Sequence, residues 1–369
     1  MGLNGGPLLR IVTATMCLMV TFPVLAGTWT TQTVDVGSAA SLAYDPIDRN
    51  PSIAYITGWG DKTKTAKFAH WDGTGWVIEV IGPMNGNDIQ LAYNTVTGQP
   101  AVAYGGPYTK GKYPLIFSTR PPTGGWTKEV VDAAAGYGSF SLAFDQAGVP
   151  GIAYILGTRT TATMYYTRKG GASWSKQTVI TGPSGTASDV SLAYDPASNP
   201  AIAHQYTDGR TTFCLRLQHW NGSSWNKEDV ECGPYEPQHA WGNFPSLAYA
   251  PGGEPAIASE GGGSAAGWPR YSRKSGTWAT EVIDQSATAT FALSLAFTPA
   301  GVPYVSFVIS DDPMPNELRV AHLEGTTWVT ELVAAGTISA YSSLAIDSSG
   351  EPSVAYSTGE LKFARRTTP

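Results

Sequence analysis

The sequence predicts an all-β fold, a seven-bladed β-propeller with four antiparallel strands per blade, and three observations predict it. A phrase joining Ser-Leu-Ala-aromatic, a Gly/Pro or Asn/Pro turn and a second apolar run returns seven times at intervals of about 50 residues. Between these phrases lies a third short run, then a tight turn and a Trp-x-x-Glu/Gln-x-Val/Leu run. The last repeat stops after its third run, and a matching Trp run stands at the opposite end of the chain, at 28–34.

The first element is a targeting segment, residues 1–26, because Arg10 precedes an apolar stretch from Ile11 to Leu25 that ends in Val24-Leu25-Ala26 before Gly27. Cleavage is expected after Ala26, leaving one propeller domain over 27–369 in a secreted or periplasmic protein. Cys17 lies within the apolar stretch without a lipobox ahead of it, so no lipid anchor is expected. Next comes the Trp29 run, and then the repeats. Their first strands begin at Ser41, Gln90, Ser141, Ser191, Ser246, Ser294 and Ser343. First and second runs alternate large with small residues rather than apolar with polar, the pattern of strands buried on both faces between neighbouring blades. Asp45, Asp145, Asp195 and Asp347 end first strands at turns, where a carboxylate accepts backbone N–H bonds. Third strands follow, such as Lys67–Trp71 and Leu215–Trp220, and then the Trp strands. The runs alternate with period two and the turns carry Gly, Pro, Asn and Asp, with no helical spacing anywhere. Pairing the Trp29 strand with the final blade closes the ring and removes an open sheet edge.

Composition narrows the partners. The formal charge of −6 becomes −7 once Arg10 leaves, and no run of Lys or Arg occurs, which argues against nucleic acid or an anionic membrane. No stretch beyond the first segment is long enough to span a bilayer. Cys214 and Cys232 are the two cysteines of the mature chain and are expected to form one disulfide at the face bearing the variable loops, Cys214 opening a third strand and Cys232 following a fourth. A monomer is expected.

Any ligand site is expected on that variable-loop face. The loop 232–245 is the longest between blades and holds Tyr235, Glu236, His239, Trp241 and Asn243. Across blade 4 another loop brings Tyr206, Asp208 and Arg210, after His204, which stands where four other repeats have Tyr. Trp59, Tyr108, Tyr113, Tyr137, Phe140, Trp268 and Tyr341 are further aromatics expected on this face. Exposed Trp and Tyr beside Asp, Asn and Arg suit a sugar, whose apolar ring face stacks on an aromatic while polar groups take the hydroxyls. The ligand-binding set read here is Trp59, Tyr206, Asp208, Arg210, Tyr235, His239, Trp241 and Trp268. His70, His219 and His322 share one repeat position and read as scaffold. Asp311-Asp312 and Asp61-Lys62 read as solvated loop charges; no metal and no cofactor are expected.

Over nearly the whole mature chain the repeats resemble those of secreted bacterial β-propellers with Ser-Leu-Ala-x-Asp-x-x-Gly-x-Pro and Trp-x-x-Glu-x-Val motifs. A more distant similarity is to sialidase-type propellers and their Asp boxes. Gly325-Thr326-Thr327-Trp328 keeps the second half of such a box, and the turns ending at Trp76 and Trp225 keep its spacing. Leu323 and Trp71 stand where the box has Asp. The sialidase likeness implies three Arg residues around a substrate carboxylate and a Tyr/Glu nucleophile; no local motif assigns Arg159, Arg210 or Arg319 to that role.

The expectation is a binding propeller for glycan or another extracellular ligand, without catalysis. The enzymatic alternative, a polysaccharide lyase or glycoside hydrolase at the blade 4/5 loops, would use His204, Tyr206, Arg210 and His239, with Glu236, Glu260 and Asp208 as hydrolytic carboxylates. A protein-interaction scaffold is the third reading.

Overall fold

The structure, a computed structural model, describes residues 27–58, 63–136, 138–234, 241–262, 267–287, 289–310, 316–339 and 341–367. The targeting segment 1–26 lies outside them. Seven four-stranded antiparallel sheets form the blades. Blades 1 to 6 occupy 38–83, 89–132, 140–183, 187–234, 243–282 and 290–336, and blade 7 combines 342–367 with the N-terminal strand Thr28–Asp35. That strand pairs with Leu361–Thr367 from Thr28 opposite Thr367 to Asp35 opposite Leu361, closing the ring as the sequence predicts. No described helix is long and apolar enough to cross a membrane.

The repeated residues turn out to be joints between blades. The Ser of each Ser-Leu-Ala accepts, through its Oγ, the backbone N–H of the corresponding Leu in the next blade, at 2.9–3.1 Å: Leu91 to Ser41, Leu192 to Ser141, Leu247 to Ser191, Leu295 to Ser246, Leu344 to Ser294 and Leu42 to Ser343. Blade 2 has Gln90 at this position, and its amide turns to Asp88. At the rim the Trp of each outer strand donates its indole N–H to the Glu or Gln of the preceding blade. The series runs Trp76 to Gln32, Trp126 to Glu79, Trp174 to Glu129, Trp225 to Gln177, Trp278 to Glu228, Trp328 to Glu281 and Trp29 to Glu331. Several of these indoles also lie edge-on to an aromatic of the preceding blade, as Trp126 does on Phe68 with ring centroids 5.2 Å apart.

Between these two rings of hydrogen bonds sits the core. Second strands are almost wholly buried, with Tyr55, Tyr154 and Ile202 at 0% exposure, each such side chain contributing roughly 1.5–3 kcal/mol of transfer free energy. The Asp residues that end first strands behave as expected: Asp145 Oδ1 accepts the N–H groups of Ala147 and Val149, and Asp347 Oδ1 those of Ser349 and Glu351. The scaffold histidines are occupied too, His70 by Ser52 and Asp48, His219 by Glu228 and His322 by Glu324. Cys214 and Cys232 face each other across third and outer strands with Cα atoms 4.1 Å apart and are bonded. Cys232 lies inside the outer strand Trp225–Pro234 rather than after it.

Candidate functional site

Inner strands converge at their N-terminal ends on the variable-loop face and there enclose an axial cavity of about 380 Å³. One residue per blade, two places before the repeat Ser or Gln, lines it: Ala39, Asp88, Ser139, Asp189, Phe244, Ala292 and Tyr341. In blades 1, 4, 5 and 6 this residue has positive φ, 50°, 45°, 49° and 54°, where the strand register breaks. A bulge re-aims a side chain away from the regular pleat, and Ala and Phe rarely adopt that backbone region without tertiary constraint.

The lining is asymmetric. Blades 2 to 4 bring Asp88, Ser139 and Asp189, and blades 5 to 7 bring Phe244, Ala292 and Tyr341. Burial pushes the Asp88 carboxyl up to about 6, against donation from Gln90 and the Phe140 and Ile89 N–H groups, while the charge of Asp189 adds to the rise. Burial also raises Asp189, against the N–H of Phe244. The Tyr341 phenol is raised by burial and then by Asp88. Several other acids of the ring have counter-ions: Asp35 meets Lys67, Asp132 Lys176, Asp145 Arg168, Asp347 Arg365, Glu231 Arg270 and Glu331 Arg366. Asp88 and Asp189 have none among the described residues, and no described Lys, Arg or His lines the cavity. Such a site can accept hydrogen bonds and positive charge on one side and stack a ring on the other.

The residues singled out at blades 4 and 5 are placed differently. His204 is 0% exposed, its Nδ1–H donating to the Gln205 carbonyl at 2.9 Å, and burial lowers its pKa to about 4, leaving a neutral imidazole in the core. Its imidazole is thus enclosed in the core of blade 4. Tyr206 lies under the Arg216 guanidinium, 3.5 Å from ring centroid to Cζ, and that Arg pairs with Asp229. The Asp208 carboxylate is filled by its own turn, accepting from the N–H groups of Arg210, Thr211 and Thr212 and from the Thr211 hydroxyl; these bonds hold its pKa low. Arg210 is exposed. Trp241 is half-buried between neighbours, with Arg270 5.1 Å from its ring centroid, and a Cβ on Gly233 would come within 1.8 Å of its indole nitrogen. Trp268 packs on the blade 5/6 core. Trp59, Tyr235, Glu236 and His239 lie outside the described residues, as do Tyr137, Asp61, Lys62, Asp311 and Asp312.

Glu260 is 5% exposed and belongs to a chain of buried amides. Ser188 donates to Gln205, Gln205 to Asn243 and Asn243 to Glu260 Oε2 at 2.8 Å. Burial pushes its carboxyl from 4.5 up to about 7, partly offset by Asn243 and the Thr290 N–H. An unfolded Glu loses its proton first, so between these values the native state holds more protons and stability falls as pH rises. Glu260→Gln removes this loss: its melting temperature should exceed that of wild type at pH 8 and match or fall below it at pH 4. Equal shifts at both values would show that the carboxyl is already ionised in the fold.

Among the described residues two clusters have metal-ligand spacing, Asp45/Asp48/His70 and Cys214/Asp229/Cys232. The second has its cysteines in a disulfide. In the first, Asp48 pairs with His70 at 2.9 Å and Asp45 Oδ1 accepts the Ile47 N–H, so the groups satisfy one another.

The axial ring went unread in the sequence although a signal existed: directly before the most regular phrase stands a position that runs through Ala, Asp, Ser, Asp, Phe, Ala and Tyr.

No family model matches the sequence. No curated protein matches it either. Solved structures do. The polysaccharide lyase Uly1 is similar over 90% of this chain and 90% of its own, with a TM-score of 0.56 and 9% identity. AofleA from Arthrobotrys oligospora is similar over 84% and 90%, with 0.53 and 15%. The Aleuria aurantia lectin is similar over 83% and 97%, with 0.51 and 13%. At such identities the likeness is one of fold: the chain is a seven-bladed β-propeller.

Proposed function

We propose that this chain is a secreted carbohydrate-binding propeller whose ligand enters the axial cavity on the variable-loop face. The observation that carries the reading is the division of that cavity into a carboxylate and hydroxyl arc and an aromatic arc, the two surfaces a pyranose presents partners for. Two neighbours in fold support it by their own chemistry, a lectin solved with a fucose–N-acetylglucosamine disaccharide and a polysaccharide lyase. The disulfide supports an oxidising compartment.

Glycan-array binding by the full chain tests this reading. Asp189→Ala and Tyr341→Ala are each expected to weaken the best glycan by roughly tenfold or more, the scale of one lost buried hydrogen bond or stacked ring. Binding untouched by both but lost in Trp241→Ala or Arg210→Ala would move the site to the blade 4/5 rim. A hydrolytic reading has one observation in its favour, two carboxylates of raised pKa at one cavity. Release of new reducing ends, abolished by Asp88→Asn, would establish it.

A further inference from the structure

We propose that the axial cavity selects sugars bearing a free amine, hexosamine units whose ammonium sits between Asp88 and Asp189 while the ring stacks on the Tyr341 and Phe244 side. This rests on the axial site being the glycan site and names the class of sugar it takes.

The charged side chains on the cavity wall are of one sign. Asp88 receives donors that carry no charge, the Gln90 amide at 3.0 Å and the Phe140 N–H at 3.5 Å. Asp189 has the Phe244 N–H. The charge of Asp189 raises the proton affinity of Asp88, the mark of negative charge left uncompensated. Asp35, Asp132, Asp145 and Glu231 each have a Lys or Arg beside them, whereas Asp88 and Asp189 lack such a counter-charge among the described residues, as Glu260 does in its chain of amides. An ammonium supplies it. The aromatic side reinforces the choice, because a cation is drawn to a ring face as well as to carboxylates. An acidic sugar meets the opposite: a uronate or sialate carboxylate would stand among like charges with no described cation to pair it. Volume fits as well, since about 380 Å³ lies within the range of pockets for small ligands.

The test compares a glucosamine hexamer with its fully N-acetylated counterpart by calorimetry on the full chain, at a pH where the amine is protonated. The free amine is expected to bind roughly tenfold or more tightly, and Asp88→Asn with Asp189→Asn to erase that difference. Asn retains size and tolerates the left-handed backbone at 189, and wild type alone already gives the comparison. Equal or tighter binding of the acetylated hexamer, weakened by Tyr341→Ala, would overturn the amine while leaving the axial glycan site standing. Indifference of both hexamers to Tyr341→Ala would sink the axial site itself. A preference that survives in the double Asn variant would place the charge recognition elsewhere, and binding abolished by a chelator would assign the carboxylates to a divalent cation instead.

Discussion

Replacing Glu331 with Ala is expected to cost about 3–5 kcal/mol of stability, the range for stripping one partner from a buried ion pair. Glu331 belongs to blade 6, yet it holds both strands that close the ring. Arg366, in the last strand, meets its two oxygens through Nε at 3.0 Å each and through Nη2 at 2.9 Å. Trp29, in the N-terminal strand, donates its indole N–H to the same carboxylate at 2.8 Å. The Arg366 side chain is only 8% exposed, so Ala at 331 leaves its guanidinium in the seam with Glu351, 3.6 Å away, as the remaining acid partner. Glu331→Gln should fall between, since it keeps hydrogen bonds and loses charge. Denaturant unfolding measures all three proteins. A loss under about 1 kcal/mol for Glu331→Ala would mean that water reaches the seam and the pair behaves as a surface one.

Converting Cys214 and Cys232 together to Ser should lower stability by about 3 kcal/mol, the chain-entropy estimate for a loop of this length, the cysteines being 18 residues apart. The bond also fixes the strand whose Gly233 backs directly onto Trp241, so the blade 4/5 rim should loosen along with the global loss. Reducing agent on the wild type should reproduce the effect in a denaturant midpoint. An unchanged midpoint after verified reduction would show that strand pairing alone holds the two segments.

The architecture was legible because its determinants repeat along the chain. Ser-Leu-Ala and Trp-x-x-Glu recur often enough to count blades and to locate the displaced strand at Trp29. Their task was not legible: each is half of a hydrogen bond whose other half lies one blade away, as with Leu91 and Ser41, and sequence spacing does not show which strands end up adjacent. The surroundings of the candidate residues were hidden for a related reason. The repeat position of His204 is buried in every blade, as at Tyr55, Tyr104, Tyr154 and Tyr356, so the departure there exchanges one core side chain for another. A loop aromatic such as Trp241 looks open in sequence, but Arg270 and Gly233 pack against it. Asp88 and Asp189 stand at ordinary strand entrances and acquire meaning only when seven entrances meet on one axis.

Six alike joints and one unlike one give the inner ring a preferred place to part. Between blades 2 and 3 the Ser clasp is replaced, and the nearest substitute is the 3.5 Å contact from the Phe140 N–H to Asp88. Breathing of the propeller should therefore start there, with the Phe140 and Leu142 amides exchanging with solvent ahead of their counterparts in other blades. Asp88 is at once the clasp of this joint and a wall of the cavity, so the seam between blades 2 and 3 and the axial lining share one carboxylate.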